Sequence, residues 1–236
     1  KAEEFNLDIT APLLSTGFKF SNRAPSIFPP SGTSSTFFPD AHYLTYLKYD
    51  IYGEKGSLRQ YTQNKSEIKA LIWDDTYQHI NAVVNNARQI DIAYTSFEGA
   101  QNGNWIITNA TVADQTSPSG NKCYLLGQLI KDSLNASKTY TISYWSKNGV
   151  YTVTGSTTYK TGKTINGWTY YEHKVSGITS IEVSGTGFID EVRLYPEDAQ
   201  MTTYLYDPLI GITDMFDDRS MVTHYEYHKF GRIHLV

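Results

Sequence analysis

The sequence of 236 residues holds a single cysteine, Cys123, so no intrachain disulfide closes any part of it. Its setting, Lys122-Cys123-Tyr124-Leu125-Leu126, suits a buried strand position, and the redox compartment stays open on this count. No apolar run of about 18 residues occurs, which excludes a helical membrane span. The chain begins at Lys1 with neither an initiator methionine nor a basic-then-apolar leader, which suggests a fragment or a processed chain without a visible signal peptide. Positive charge is scarce: 20 lysines and arginines stand against 24 aspartates and glutamates, and no basic cluster gathers them, which argues against a nucleic-acid partner. Long helical periods are also few. Present instead are 19 tyrosines, 4 tryptophans and many threonines, residues that fit a pleated, half-buried surface, so the expected class is all-β.

Along the chain, residues 1 to 40 carry Pro12, Pro25, Pro29, Pro30 and Pro39 without a steady period. They read as an extended segment lying over other structure, because Phe18, Phe20, Phe28, Phe37 and Phe38 are poorly accommodated in free solvent. Residues 43 to 73 alternate and predict a hairpin-based meander. Ile80, Val83, Val84 and Ala87 then fall at helical spacing and predict a short helix, against the weakening effect of Asn81, Asn85 and Asn86.

Between Ser96-Phe97-Glu98 and Phe188-Ile189-Asp190-Glu191-Val192-Arg193-Leu194-Tyr195-Pro196 the sequence breaks into short alternating runs separated by turns. This is the pattern of an antiparallel sandwich. With Tyr140-Thr141-Ile142-Ser143-Tyr144-Trp145 midway and Gly167-Trp168-Thr169-Tyr170 later, the order resembles the galactose-binding-like, carbohydrate-binding-module jelly rolls. The resemblance covers about a hundred residues and implies an all-β sandwich whose first and last strands lie side by side. It also implies a structural calcium held by a glutamate of the opening strand and an aspartate of the closing strand, positions matched by Glu98 and Asp190. Asn121, Ser119 and Gly120 would add loop oxygens, since a hard cation takes six to eight. The metal-free alternative pairs Glu98 with Arg193 or Lys122.

Flanking this stretch, Tyr204-Leu205-Tyr206-Asp207-Pro208-Leu209-Ile210-Gly211 is echoed 21 residues further on by Tyr225-Glu226-Tyr227-His228-Lys229-Phe230-Gly231-Arg232-Ile233, and Tyr49-Asp50-Ile51-Tyr52-Gly53 is a third copy. Such repeats stack, each burying the next. They resemble the YD repeats of the rearrangement-hotspot (RHS) family, with departures: His228 replaces the aspartate, Ile210 is an extra residue, and no arginine follows Gly53 or Gly211. The whole order resembles large RHS-type surface proteins of Bacteroidetes, which implies a secreted or cell-surface location and the remaining RHS/YD chain as a partner. The expected organisation is a segment 1–95 with a meander, a sandwich 96–198, and repeats 199–236 pairing with 1–95.

No nucleophile with its base, no facing carboxylate pair and no His-Glu-x-x-His appears, so a non-catalytic role is expected. Asp74-Asp75 and Asp217-Asp218 read as turn carboxylates. For a glycan or cell-surface polysaccharide, the requirement is an aromatic ring beside hydroxyls. Alternation sets Tyr140, Ile142 and Tyr144 on one strand face, and Thr141, Ser143 and Trp145 on the other, where they would form a binding face with Trp168 and Tyr170. Trp105, Tyr151, Tyr159 and Tyr171 are further aromatic candidates. The rival reading is a purely structural sandwich with no sugar ligand. Exposed rings would favour binding; burial of Trp105, Trp145 and Trp168 would favour structure.

Overall fold

A computed structural model describes residues 2–7 and 43–236, and within them the chain is all-β, built of antiparallel sheets. The first strands are β1 (Ala2–Leu7), β2 (Tyr43–Tyr52), β3 (Leu58–Gln63), β4 (Glu67–Trp73) and β5 (Ile80–Asn85). The middle of the chain supplies β6 (Ala93–Thr95), β7 (Ile106–Ile107), β8 (Thr111–Ala113), β9 (Lys122–Leu125), β10 (Leu129–Lys131) and β11 (Thr139–Ser146). It continues with β12 (Thr152–Val153), β13 (Tyr159–Ile165), β14 (Trp168–Ser176), β15 (Ile181–Ser184) and β16 (Phe188–Pro196). Last come β17 (Gln200–Asp207), β18 (Gly211–Phe216), β19 (Val222–His224), β20 (Glu226–Tyr227) and β21 (Ile233–Leu235). The extended reading of residues 1 to 40 falls outside the described residues except at β1.

The middle strands form a sandwich. A wide sheet has the order β13-β14-β11-β16-β9-β8 with β6 also on β16, and a narrow sheet has the order β12-β15-β10-β7. Alternation along β11 sends Tyr140, Ile142 and Tyr144 between the sheets, where they pack with Trp105, Tyr124 and Leu129 in the main core. The opening strand lies against the closing one, with Ala93 opposite Leu194 and Thr95 opposite Val192. The sandwich sheet therefore begins at Ala93, inside the segment assigned to 1–95.

The flanks meet in an eight-stranded sheet of order β1-β2-β3-β4-β5-β17-β18-β19. Asn85 pairs with Gln200 and Ala82 with Thr203, so the chain leaves this flanking sheet after β5 and re-enters it at the adjacent position. The meander expected over 43 to 73 is β2-β3-β4. The helix expected at Ile80 to Ala87 is instead β5. Ala82 and Val84 are fully buried on one face, and β5 is hydrogen-bonded on both sides, by β4 and β17. Two-sided pairing of a stretch rich in β-branched and asparagine residues outweighs an accidental helical spacing.

Each YD-like copy sits where a strand ends and a hairpin turns. Asp207 accepts the N–H of Leu209 through Oδ1 (2.8 Å) ahead of β18. His228 makes the same kind of turn contact between β20 and β21, its Nδ1 accepting the N–H of Phe230 (3.0 Å). Gly231, at φ 71°, supplies the left-handed turn residue that the repeat pattern asks for. Asp50, by contrast, sits in β2 and accepts Thr62 Oγ1 (2.6 Å).

A second core joins the two units: Ala70, Ile72, Ala82, Val84 and Met201 of the flanking sheet meet Ile92, Tyr94, Tyr195 and Ala199. Beside it, the connection from β5 to β6 is fastened by Asp91, which is fully buried and receives Arg88 Nε (2.9 Å), Lys138 Nζ (2.9 Å) and the Tyr140 hydroxyl (3.0 Å). Burial pushes its carboxyl pKa upward, but the bonds from Arg88, Lys138 and Tyr140 outweigh that and hold it below the ordinary value. A depressed folded pKa gives stability that is present above the unfolded value of about 3.9 and lost as pH falls through the folded one. Asp91→Asn is therefore expected to cost about 3 kcal/mol in urea unfolding at pH 7. The difference from the parent chain should shrink as pH is lowered below about 4; a gap that stays constant to pH 2 would exclude the ion network as its source.

Candidate functional site

The outer face of the wide sheet carries the residues expected to bind sugar. Alternation does place Thr141, Ser143 and Trp145 together, away from the main core, but that face is not open: Trp145 is 4% exposed, Thr141 5% and Ser143 0%. Trp145 packs with Cys123 and Trp168 in a small third core that Tyr170 and Phe188 flank, and its ring meets Tyr170 edge-on at 5.7 Å. Trp168 is fully buried, with the Lys147 ammonium 5.2 Å above its ring. Tyr170 is half-buried and accepts a hydrogen bond from Ser220 Oγ (3.1 Å), on the turn between β18 and β19. The platform reading of Trp145, Trp168 and Tyr170 is thus corrected. Period two identifies which residues share a face but not what covers it, and here the flank of the same chain takes part in the covering.

Of the remaining aromatics, Trp105 (3% exposed) and Tyr151 (5%) belong to the main core. Tyr171 is partly buried, and Tyr159 is exposed, edge-on to Tyr171 at 6.0 Å. His173 is buried between the Tyr144 hydroxyl (3.0 Å) and Ser156 Oγ (2.9 Å), and burial lowers its pKa.

The second candidate is the corner where opening and closing strands meet. Glu98 accepts the backbone N–H groups of Asn121 (2.8 Å) and Lys122 (2.5 Å) through one oxygen, and the Lys122 ammonium bonds the Glu98 carbonyl (2.8 Å). Gly120 has φ +56°, and a Cβ there would stand 2.4 Å from the Glu98 carboxyl carbon, so the loop closes on that carboxylate only with glycine. Asp190 is fully buried and accepts Ser117 Oγ (2.6 Å) and the Glu191 N–H (2.8 Å). Burial first, and then the charge of Glu191, drive its pKa well up, with Glu98 adding to the effect. Among the described residues, no group of three or more His, Cys, Asp or Glu side chains is gathered as a metal centre. The backbone of Asn121 is engaged here, its N–H by Glu98 and its carbonyl by the Asp114 N–H (2.8 Å). Arg193, offered above as a partner of Glu98, is engaged elsewhere.

Between these two candidates lies a network that the sequence did not single out as a site. Glu191 sits at a bulge of β16 with φ +50°, opposite the register shift at Ser143 to Trp145. Its Oε1 accepts the Tyr94 hydroxyl (2.9 Å) and Ser119 Oγ (2.7 Å), and its Oε2 lies 3.7 Å from an Arg193 guanidinium nitrogen, too long for a hydrogen bond. Arg193, 1% exposed, reaches out of the sandwich to Thr203 Oγ1 (2.7 Å) and the Asp217 carbonyl (2.9 Å), and lies over the Phe216 ring at 5.1 Å. The signal available beforehand was an acidic pair two residues from an arginine in a strand whose other residues are apolar.

Comparison with known proteins finds no matching family model, no matching curated protein and no matching solved structure. The burial of Trp145 has a direct consequence: Trp145→Ala should destabilise the chain by about 3 to 5 kcal/mol, the range for truncating a core aromatic. A thermal melt checks it, and an unchanged melting temperature would restore the exposed-platform reading.

Proposed function

We propose that the sandwich is a non-catalytic structural module set into a repeat-type sheet, and that its task is to hold the flanking strands rather than to present a sugar platform on its own sheet. The observation that carries this reading is the buried Arg193, which links the closing strand of the sandwich to two strands of the flanking sheet through Thr203, Asp217 and Phe216. Burial of Trp105, Trp145 and Trp168 supports it from the other side. The YD-like copies at hairpin turns support a setting within an RHS-type, secreted or cell-surface array, whose further strands would continue the flanking sheet beyond β19, its last strand among the described residues.

Calorimetry tests the role. The full chain should unfold in one transition, and Arg193→Ala, which leaves Glu191 buried and unpaired, should lower stability by at least about 3 kcal/mol. Two separate transitions in the parent chain, with the sandwich indifferent to Arg193, would overturn the structural reading.

We also propose calcium as a stabilising ion at the strand corner, held by Glu98 and Asp190, where it would offset the charge that Asp190, Glu191 and Glu98 concentrate there. At a free concentration a hundredfold above its dissociation constant, calcium should add about 2.7 kcal/mol of stability over a chelator control. Asp190→Asn should abolish that increment, and equal melting temperatures with calcium and with chelator would remove the ion from the account.

A further inference from the structure

We propose that the cleft between the flanking sheet and the sandwich binds a neutral saccharide. It encloses about 450 Å³, within the range of roughly 300 to 1,000 Å³ typical of small-molecule sites. The flanking sheet contributes Tyr204 and Tyr206 of β17, with ring centroids 6.4 Å apart. His79 stacks on Tyr206 at 4.6 Å and is itself held through Nδ1 by Asp74 (3.1 Å). These rings are therefore oriented before any ligand arrives, which reduces the ordering cost of binding. The sandwich contributes Glu98 and Asn121, and the turns at the ends of β4 and β17 contribute Asp75 and Asp207.

The chemistry of that lining selects among ligands. A pyranose offers an apolar C–H face to a tyrosine ring and hydroxyl donors at its rim, and the cleft holds aromatic rings together with carboxylate and amide oxygens. Among the described residues, four carboxylates and no lysine or arginine line it, so uronic, sialic, sulfated or phosphorylated sugars are repelled. Asp74 and Asp207 are a poorer match for a bare cation, because they already bond to their own surroundings: Asp74 accepts Thr76 Oγ1 (2.8 Å) and the Gln78 N–H (2.9 Å), and Asp207 the Leu209 N–H. What they present to the cleft is acceptor geometry more than unbalanced charge.

This site is independent of the coupling role proposed for Arg193, which calorimetry tests without any ligand. The full chain is applied to an array of immobilised neutral gluco-, galacto- and manno-oligosaccharides beside uronate and sulfated ones, and the best neutral oligosaccharide is then titrated calorimetrically. Neutral oligosaccharides should be retained and acidic ones not. Tyr206→Ala should weaken the titrated binding by about tenfold or more, and Tyr206→Phe should preserve it. Asp75→Asn, at an exposed turn, should weaken it as well. Retention of acidic sugars alone, retention of nothing, or neutral binding that survives both Tyr206→Ala and Asp75→Asn would each overturn the proposal.

Discussion

A buried arginine is the constraint on which this architecture turns. Arg193 belongs to the closing strand of the sandwich, yet its guanidinium spends its hydrogen bonds on Thr203 and Asp217 of the flank and its flat face on Phe216. A guanidinium at this depth is tolerated only if donors find acceptors and charge finds charge. Glu191 supplies the charge, and it keeps its own place through Tyr94 and Ser119. Strand β6, the loop before β9, strand β16 and the β17–β19 part of the flanking sheet are thereby tied into one arrangement. Moving any of them leaves a desolvated ion without its partner.

The same strand explains why the centre of the wide sheet has no open face. Along β16, Val192 and Leu194 point into the main core, whereas Arg193 and Tyr195 point toward the flanking sheet. On the neighbouring strand, Tyr140, Ile142 and Tyr144 face the core while Trp145 is closed over by Cys123, Trp168 and Tyr170. At β11 and β16 both faces are thus buried. The bulge at Glu191 is what allows two consecutive carboxylates, Asp190 and Glu191, to turn to different sets of donors instead of sharing one.

How far the sequence disclosed all this depends on range. Alternation in Tyr140 to Trp145 and the apolar closing run identified strands, core residues and the class of fold, because period two is a local property. The juxtaposition of opening and closing strands followed from the layout of a jelly roll. Three things were hidden. The strand at Ile80 to Asn85 mimics a helix because its spacing is ambiguous, and only its two partners, far away in sequence, decide. The Tyr170 ring that packs against Trp145 is in turn bonded by Ser220, on a turn far later in the chain. The cleft beside Tyr206 is made by residues from five separate stretches, none of which announces a site by itself.

The pairing of Asn85 with Gln200 has a consequence for how such a chain came to be assembled. Two strands that meet at adjacent ends need nothing more than a tight turn between them, so the whole sandwich occupies the place of a hairpin loop. A chain of this kind acquires or loses such a domain without altering the register of the sheet that carries it. Excision is nevertheless not free: Ile92, Tyr94, Tyr195 and Ala199 cover Ala70, Ile72, Ala82 and Val84, and a shortened chain would set that apolar patch against water. The two units are therefore committed to each other: one strand register would tolerate their separation, but the face they share would not stand bare.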